Sequence, residues 1–102
     1  MSESTVFEDL EMLDGPDLQA VFSHMQSEEV VAALWGAHIG LRSRLLQKLG
    51  KRARQAILLD IASCDHCTFD QVHRAQKKAV EVMCQMSRAG QIAFDAPEDM
   101  VA

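Results

Sequence analysis

The chain has 102 residues, 48% of them hydrophobic, and a formal net charge of -5 at pH 7. This length suits one domain with one core, and no apolar run approaches the roughly 20 residues needed to span a bilayer. The acidic N-terminus lacks the basic segment of a secretory signal, and three cysteines are an odd number for a disulfide framework. These totals predict one cytoplasmic domain over 1–102, with flexible ends at 1–5 and 97–102.

Three helices are predicted before residue 38. The first covers residues 6–13 and has apolar side chains three positions apart. The second starts at Asp14, because an acceptor side chain followed by Pro16 is typical of a first helical turn. Ser27 is the predicted N-cap of the third, which Gly36 ends. The predicted inward residues are Phe7, Leu10, Leu13, Leu18, Val21, Phe22, Met25, Val30, Val31, Ala33 and Leu34.

Residues 38–63 carry the clearest helical periodicity, with leucines every four residues, and predict two helices divided by Gly50. In the second of them, Arg52 and Leu59 are seven residues apart and therefore lie on one side, with Asp60 one step round. Its predicted inward face is Ile57, Leu58 and Ile61, with Ala53 at the edge.

The last predicted helix is the longest. It follows a loop at residues 63–69, starts at a cap formed by Thr68 with Gln71 or by Asp70 alone, and runs to about Ala89. Gly90 is its predicted C′ residue, and residues 91–94 form a short extended segment that packs back. No hairpin signal or repeat is present, so the sequence predicts a compact all-α bundle of six helices.

Charge is divided along the chain. Residues 1–34 hold eight acids and no Lys or Arg, whereas residues 42–54 hold six bases and no acids. This split fits a solvated dipolar domain, or a basic surface that docks onto an acidic partner. A helix-turn-helix contact with nucleic acid is disfavoured, because the chain is acidic overall and has few base-reading or aromatic residues.

Cys64-Asp65-His66-Cys67 is the most conspicuous local motif. Two cysteines at this spacing can serve a zinc site, but no second pair exists to complete four ligands. A redox site would need a strand before the motif, and both flanking elements are helices. An interhelical loop is the favoured interpretation, and Cys64 and Cys67 remain weak metal candidates.

No cofactor site or catalytic constellation is recognisable, since the four histidines are scattered and no Ser, His and acid form a known motif. The sequence therefore predicts a non-enzymatic protein without cofactors. Trp35, the single Trp, is either a packing residue at the core or its rim, or an exposed anchor for a partner.

Between Val6 and about Val101 the chain carries a series of short motifs. These are Phe7-Glu8-Asp9-Leu10, Leu13-Asp14, Leu34-x-Gly36-Ala37, Leu41-Arg42, Lys51-Arg52-Ala53, Asp60, Val72 with Gln76, Arg88-x-Gly90-x-Ile92 and Glu98-Asp99. In their order and spacing the chain resembles the C-terminal domain of the flagellar motor switch protein family FliG, as a divergent member.

The resemblance implies a six-helix rotor domain at the cytoplasmic face of the flagellar basal body. Its torque helix, here residues 51–62, would face the cytoplasmic loop of the stator protein MotA or a MotA-like subunit, alongside other switch-complex proteins. Of five charges implied by the family, the chain keeps Arg52 and Asp60. Trp35, Leu59 and Thr68 stand where a Lys, an acid and an Arg are expected, which implies that Trp35 and Leu59 are exposed.

The predicted partner-binding residues are therefore Arg52, Asp60, Leu59, Trp35, Lys51 and Lys48. Of the basic residues around Arg52, Lys48 and Lys51, together with Arg42 and Arg44, are expected to provide steering only. An alternative keeps the fold but changes the role. In it the chain is a free-standing FliG-like paralogue that acts as an adaptor or regulator through a Trp35/Leu59 surface. Neither interpretation involves nucleic acid or insertion into a membrane.

Overall fold

The computed structural model describes residues 6–92. Within this range the chain forms six helical elements and no strand, which confirms the all-α prediction. The elements are a 3-10 helix (Phe7–Met12), α1 (Gly15–Ser23), α2 (Ser27–Trp35), α3 (Ile39–Lys48), α4 (Lys51–Ser63) and α5 (Phe69–Arg88). The predicted flexible ends lie outside the described residues, as do residues 93–94 of the predicted extended segment. Among the described helices, none has the length and apolar character to cross a membrane.

The first element is a 3-10 helix because its apolar residues repeat every three positions. Phe7, Leu10 and Leu13 are all buried, and a 3-10 helix, with three residues per turn, places such residues in one row. The Asp9 carboxylate accepts the Val6 N–H at 3.1 Å, which satisfies one free donor at the start of the element.

The start of α1 follows the predicted pattern. The Asp14 carboxylate accepts the Asp17 N–H at 3.1 Å, and Pro16 lies in the first turn. A side chain at Gly15 would overlap the Lys48 carbonyl oxygen, so the absence of a Cβ lets the start of α1 approach the end of α3. The buried residues of α1 are Leu18, Val21 and Phe22, and the predicted Met25 is half-buried.

At the start of α2, the cap differs from the prediction by one residue. Ser27 is the first helical residue and Gln26 is the N-cap. The Gln26 N–H donates to the Glu29 carboxylate at 2.8 Å, so an acidic side chain in the first turn satisfies the N–H of the N-cap residue.

The α2–α5 pair forms the most extensive helix–helix contact. Small buried residues, among them Ala33, Ala75 and Ala79, allow the two helices to pack closely. The Gln76 amide donates to the Ala33 carbonyl at 2.9 Å. The other core-facing residues of α5 are Val82, Met83, Cys84 and Met86, and Val72 is half-buried.

Both ends of α5 carry the predicted caps. The Thr68 hydroxyl accepts the Gln71 N–H at 3.1 Å, and the Gln71 side chain accepts the Thr68 N–H at 2.8 Å. At the other end, Gly90 has φ +74°, and the Gln91 N–H donates to the Met86 carbonyl at 2.9 Å, which is a Schellman motif. The turn directs the buried Ile92 back toward the core cluster.

Candidate protein-docking surface on the fourth helix

Helix α4 is the least buried α-helix of the described chain. None of its residues is fully buried, whereas every other α-helix buries at least three. Ala53, Ile57 and Ile61 are half-buried and pack against the core cluster, as predicted. Leu58 was also expected inward, and this is wrong, since it is 46% exposed. Successive residues of an α-helix are rotated by about 100° around its axis, so Leu58 lies roughly 60° beyond Ile61. Leu58 is therefore outside the arc of α4 that faces the core.

The outer face of α4, which we define as Arg52, Gln55, Ala56 and Leu59, points away from the core. All four side chains are exposed, and Leu59 is 69% exposed. Arg52 and Leu59 are separated by about 20° around the helix axis, so both lie near the centre of this face. The expected exposure of Leu59 is confirmed.

Asp60 lies at the flank of α4, where it lines an open groove of about 660 Å³ between α2, α4 and the start of α5. Glu28 and Glu29 of α2 line the same groove, together with Arg74. Arg74 is paired with Asp70 at 3.0 Å. The charged side chains around Asp60 are therefore mainly acidic, and this end of α4 attracts a basic group.

The charges of α4 oppose the helix macrodipole at both ends. Lys51 and Arg52 occupy the first turn, near the partial positive charge, and Asp60 lies in the last turn, near the partial negative charge. Each such placement is unfavourable by about 0.3–1 kcal/mol. Within the described residues neither Arg52 nor Asp60 takes part in an ion pair. Charges that break a local rule without an internal partner are typical of a functional surface.

The surrounding basic residues differ in their availability. Arg44 forms an ion pair with Glu11 of the 3-10 helix, with a second contact from Nη2 to Oε1 at 3.5 Å. Lys48 is half-buried in the last turn of α3, where a positive charge is favourable. Lys51 is exposed, one position before Arg52. Of the predicted steering residues, Lys51 is thus placed best to act together with Arg52.

Trp35 is half-buried, so the expectation that it is exposed beside Leu59 is wrong. It packs against the core cluster, and its ring meets the His66 ring edge-on at 5.9 Å between centroids. The contact joins the end of α2 to the loop after α4. These contacts give Trp35 a packing role inside the domain. Its predicted role in binding a partner stays a prediction.

Cys64 and Cys67 flank the turn between α4 and α5, in the loop that the sequence predicted. Their Sγ atoms are 3.3 Å apart, with Cys64 half-buried and Cys67 buried. Burial, followed by the hydrogen bond and the charge of Cys64, raises the pKa of the Cys67 thiol above its ordinary value. Among the described residues no group of three or more His, Cys, Asp or Glu side chains is placed so that it could hold a metal ion.

The fold and the charges of α4 define an all-helical domain with one exposed, charged helix available to a partner. The family model of the FliG C-terminal domain matches residues 1–94, and the chain belongs to this family. The resemblance inferred from the sequence is thereby confirmed.

Curated relatives support this assignment at low identity. The chain is 26% identical to the flagellar motor switch protein FliG of Thermotoga maritima over 89 residues, which cover 87% of the chain and 27% of that protein. The identity to FliG of Pseudomonas aeruginosa is also 26%, over 87% of the chain and 26% of the relative. The chain thus spans about a quarter of the length of these relatives.

A solved structure agrees with the fold. The crystal structure of FliG from H. pylori superposes with a TM-score of 0.75 at 20% identity. The superposition covers 86% of this chain and 39% of that one. At this identity the match supports the arrangement of the helices alone.

Proposed function

We propose that the chain is a non-enzymatic rotor domain of a flagellar motor switch, at the cytoplasmic face of the basal body among other switch-complex proteins. In this proposal α4 faces the cytoplasmic loop of a stator subunit, MotA or a MotA-like protein, and transmits torque. The curated relatives are named as flagellar motor switch proteins. The observation that carries the proposal is the placement of Arg52 and Asp60 without internal partners and against the dipole of their own helix.

The two charges suit two different groups on one partner. Arg52 would contact an acidic side chain and Asp60 a basic one, at positions separated by about 12 Å along α4. Lys51 would add to the attraction for the acidic group, and Lys48 would act at longer range. Exposed ion pairs contribute only about 0–1 kcal/mol each, so these contacts would set orientation and encounter rate more than affinity. Weak, oriented contacts suit a partner that must be released at every step.

Motility tests the proposal. We expect a strain without this coding sequence to build filaments but not to rotate them, and Arg52→Glu or Asp60→Lys to reduce swimming. Lys77→Glu is the matched control for Arg52→Glu, since it also replaces a positive charge with a negative one, at an exposed position of α5. A deletion strain that builds filaments and swims normally would exclude the motor role.

A second candidate keeps the fold and uses a different surface. Leu59 is 69% and Leu58 46% exposed, and large apolar groups open to solvent are typical of an apolar protein contact. In this alternative the chain is a FliG-like adaptor or regulator. Leu59→Asp should then abolish function while Arg52→Glu has little effect, and the motor role predicts the opposite order.

A further inference from the structure

The turn between α4 and α5 holds two thiols in contact. Cys64 is the C-cap of α4, and Cys67 immediately precedes Thr68, the N-cap of α5. Both neighbouring helix ends are fixed, by the packing of Ile61 on one side and the Thr68 cap on the other. The Sγ–Sγ distance of 3.3 Å is about 1.3 Å longer than a disulfide bond, so a small movement of the turn brings the sulfurs to bonding distance.

The two thiols differ in their access to solvent. Both Cys64 and Cys67 line the open groove beside Asp60. Cys64 is half-buried, whereas Cys67 is buried with 8% of its surface exposed. A reagent in solution therefore reaches Cys64 first. Cys67 is the more buried of the two and its sulfur is within reach of the Cys64 sulfur, which is the arrangement of an attacking and a resolving cysteine.

The geometry points to a reversible disulfide between Cys64 and Cys67, formed by exchange with a low-molecular-weight disulfide such as glutathione disulfide. The Cys64 thiolate attacks one sulfur of the reagent, which forms a mixed disulfide and releases one thiolate. Cys67 gives up its proton and attacks the Cys64 sulfur, which expels the second thiolate. Two protein thiols are oxidised to one disulfide, and one small disulfide is reduced to two thiols.

A change in the oxidation state of Cys64 and Cys67 affects the end of α2. His66 lies inside the four-residue ring that the disulfide closes, and its ring contacts Trp35, the last residue of α2. Shortening the Sγ–Sγ distance by about 1.3 Å must move the backbone that carries His66. The bond also fixes the end of α4, a helix held to the core only by half-buried side chains. Oxidation thus restrains the helix that carries Arg52 and Asp60.

The purified full chain tests this in buffers of reduced and oxidised glutathione. After acid quenching, the intact mass reports disulfide formation, and tryptic mapping places the bond, because Cys64 and Cys67 share one peptide and Cys84 lies in another. Fluorescence of Trp35, the single Trp, reports the contact with His66. We expect the wild type to lose two hydrogen masses in the peptide with Cys64 and Cys67, with a fluorescence change that reductant reverses.

Single substitutions separate the two roles. Cys67→Ser should trap glutathione on Cys64 at least about tenfold faster than Cys64→Ser traps it on Cys67, and Cys84→Ala should behave as the wild type. A wild type that stays reduced, or that keeps a glutathione adduct, overturns the disulfide. A disulfide formed without a fluorescence change overturns its transmission to α2. None of these measurements needs a flagellar motor, so they can fail or succeed independently of the proposed function.

Discussion

Val72 of α5 fills the space that a side chain on Gly36 would need. A Cβ atom on Gly36 would overlap Cγ1 of Val72 and lie 2.9 Å from its Cγ2. Gly36 has φ -88° and ψ -2°, a conformation open to any residue. The requirement for glycine at this position is therefore steric, and it fixes how closely α2 approaches α5.

Gly36→Ala should destabilise the domain by about 1–3 kcal/mol, because the branched Val72 cannot turn away without leaving its packing site. Urea unfolding measures the change. Gly50→Ser is the control, since a Cβ at Gly50 meets nothing within 4 Å and serine is a good N-cap. Adding Val72→Ala should recover part of the loss. Equal stability of Gly36→Ala and wild type would show that the α2–α5 contact can shift freely.

Reversing either charge of α4 should stabilise the isolated domain while it reduces motility. Arg52→Glu and Asp60→Lys each place a favourable charge at their end of the helix, with an expected gain of about 0.5–1 kcal/mol at low salt. Thermal unfolding at low and high salt measures this, and the gain should shrink as salt increases. Gln55→Glu, in the middle of α4, should change stability less. If both reversals destabilise the domain, the charges of α4 have internal partners after all.

Thr68 shows how a helix cap can replace a functional charge. The family resemblance implies an Arg at this position, but here the hydroxyl accepts the Gln71 N–H. Thr68→Arg should therefore destabilise the domain by about 1 kcal/mol through loss of the cap, whereas Thr68→Ser should have little effect. Urea unfolding of the two variants compares them directly. Equal stability of the Arg and Ser variants would mean that the Gln71 side chain alone caps α5.

The sequence predicted the helices well wherever a local rule decides the structure. The cap at Asp14, the reciprocal cap of Thr68 and Gln71, and the stop at Gly90 involve neighbouring residues only, and all were confirmed. At the start of α2 the N-cap is Gln26, one residue before the predicted Ser27, and the Glu29 side chain accepts the Gln26 N–H. Local chemistry thus determines element boundaries to within about one residue.

The candidate site was less accessible to sequence reasoning because it depends on how the helices pack. The exposure of Leu58 follows from the helical repeat only once Ala53, Ile57 and Ile61 are known to face the core, and the contact of Trp35 with the His66 ring does not follow from periodicity. The acidic groove at Asp60 needs the proximity of α2 and α4. The unfavourable position of Arg52 relative to the dipole of α4, in contrast, follows from the sequence, because it needs only a helix that starts after Gly50.

The Cys67 thiol should make stability depend on pH in the alkaline range. Burial and the neighbouring Cys64 raise its pKa in the folded chain above the ordinary value of 9.0. From about pH 9 upward the unfolded thiol loses its proton while the folded one keeps it, so stability is present below this range and is lost as pH rises. For one group the loss in the free energy of unfolding is at most about 1.4 kcal/mol per pH unit.

Urea unfolding of reduced wild type and Cys67→Ala at several pH values isolates this contribution, since lysines and other groups titrate in both. The stability difference between the two proteins should narrow as pH rises, and a constant difference would show that Cys67 titrates alike in both states.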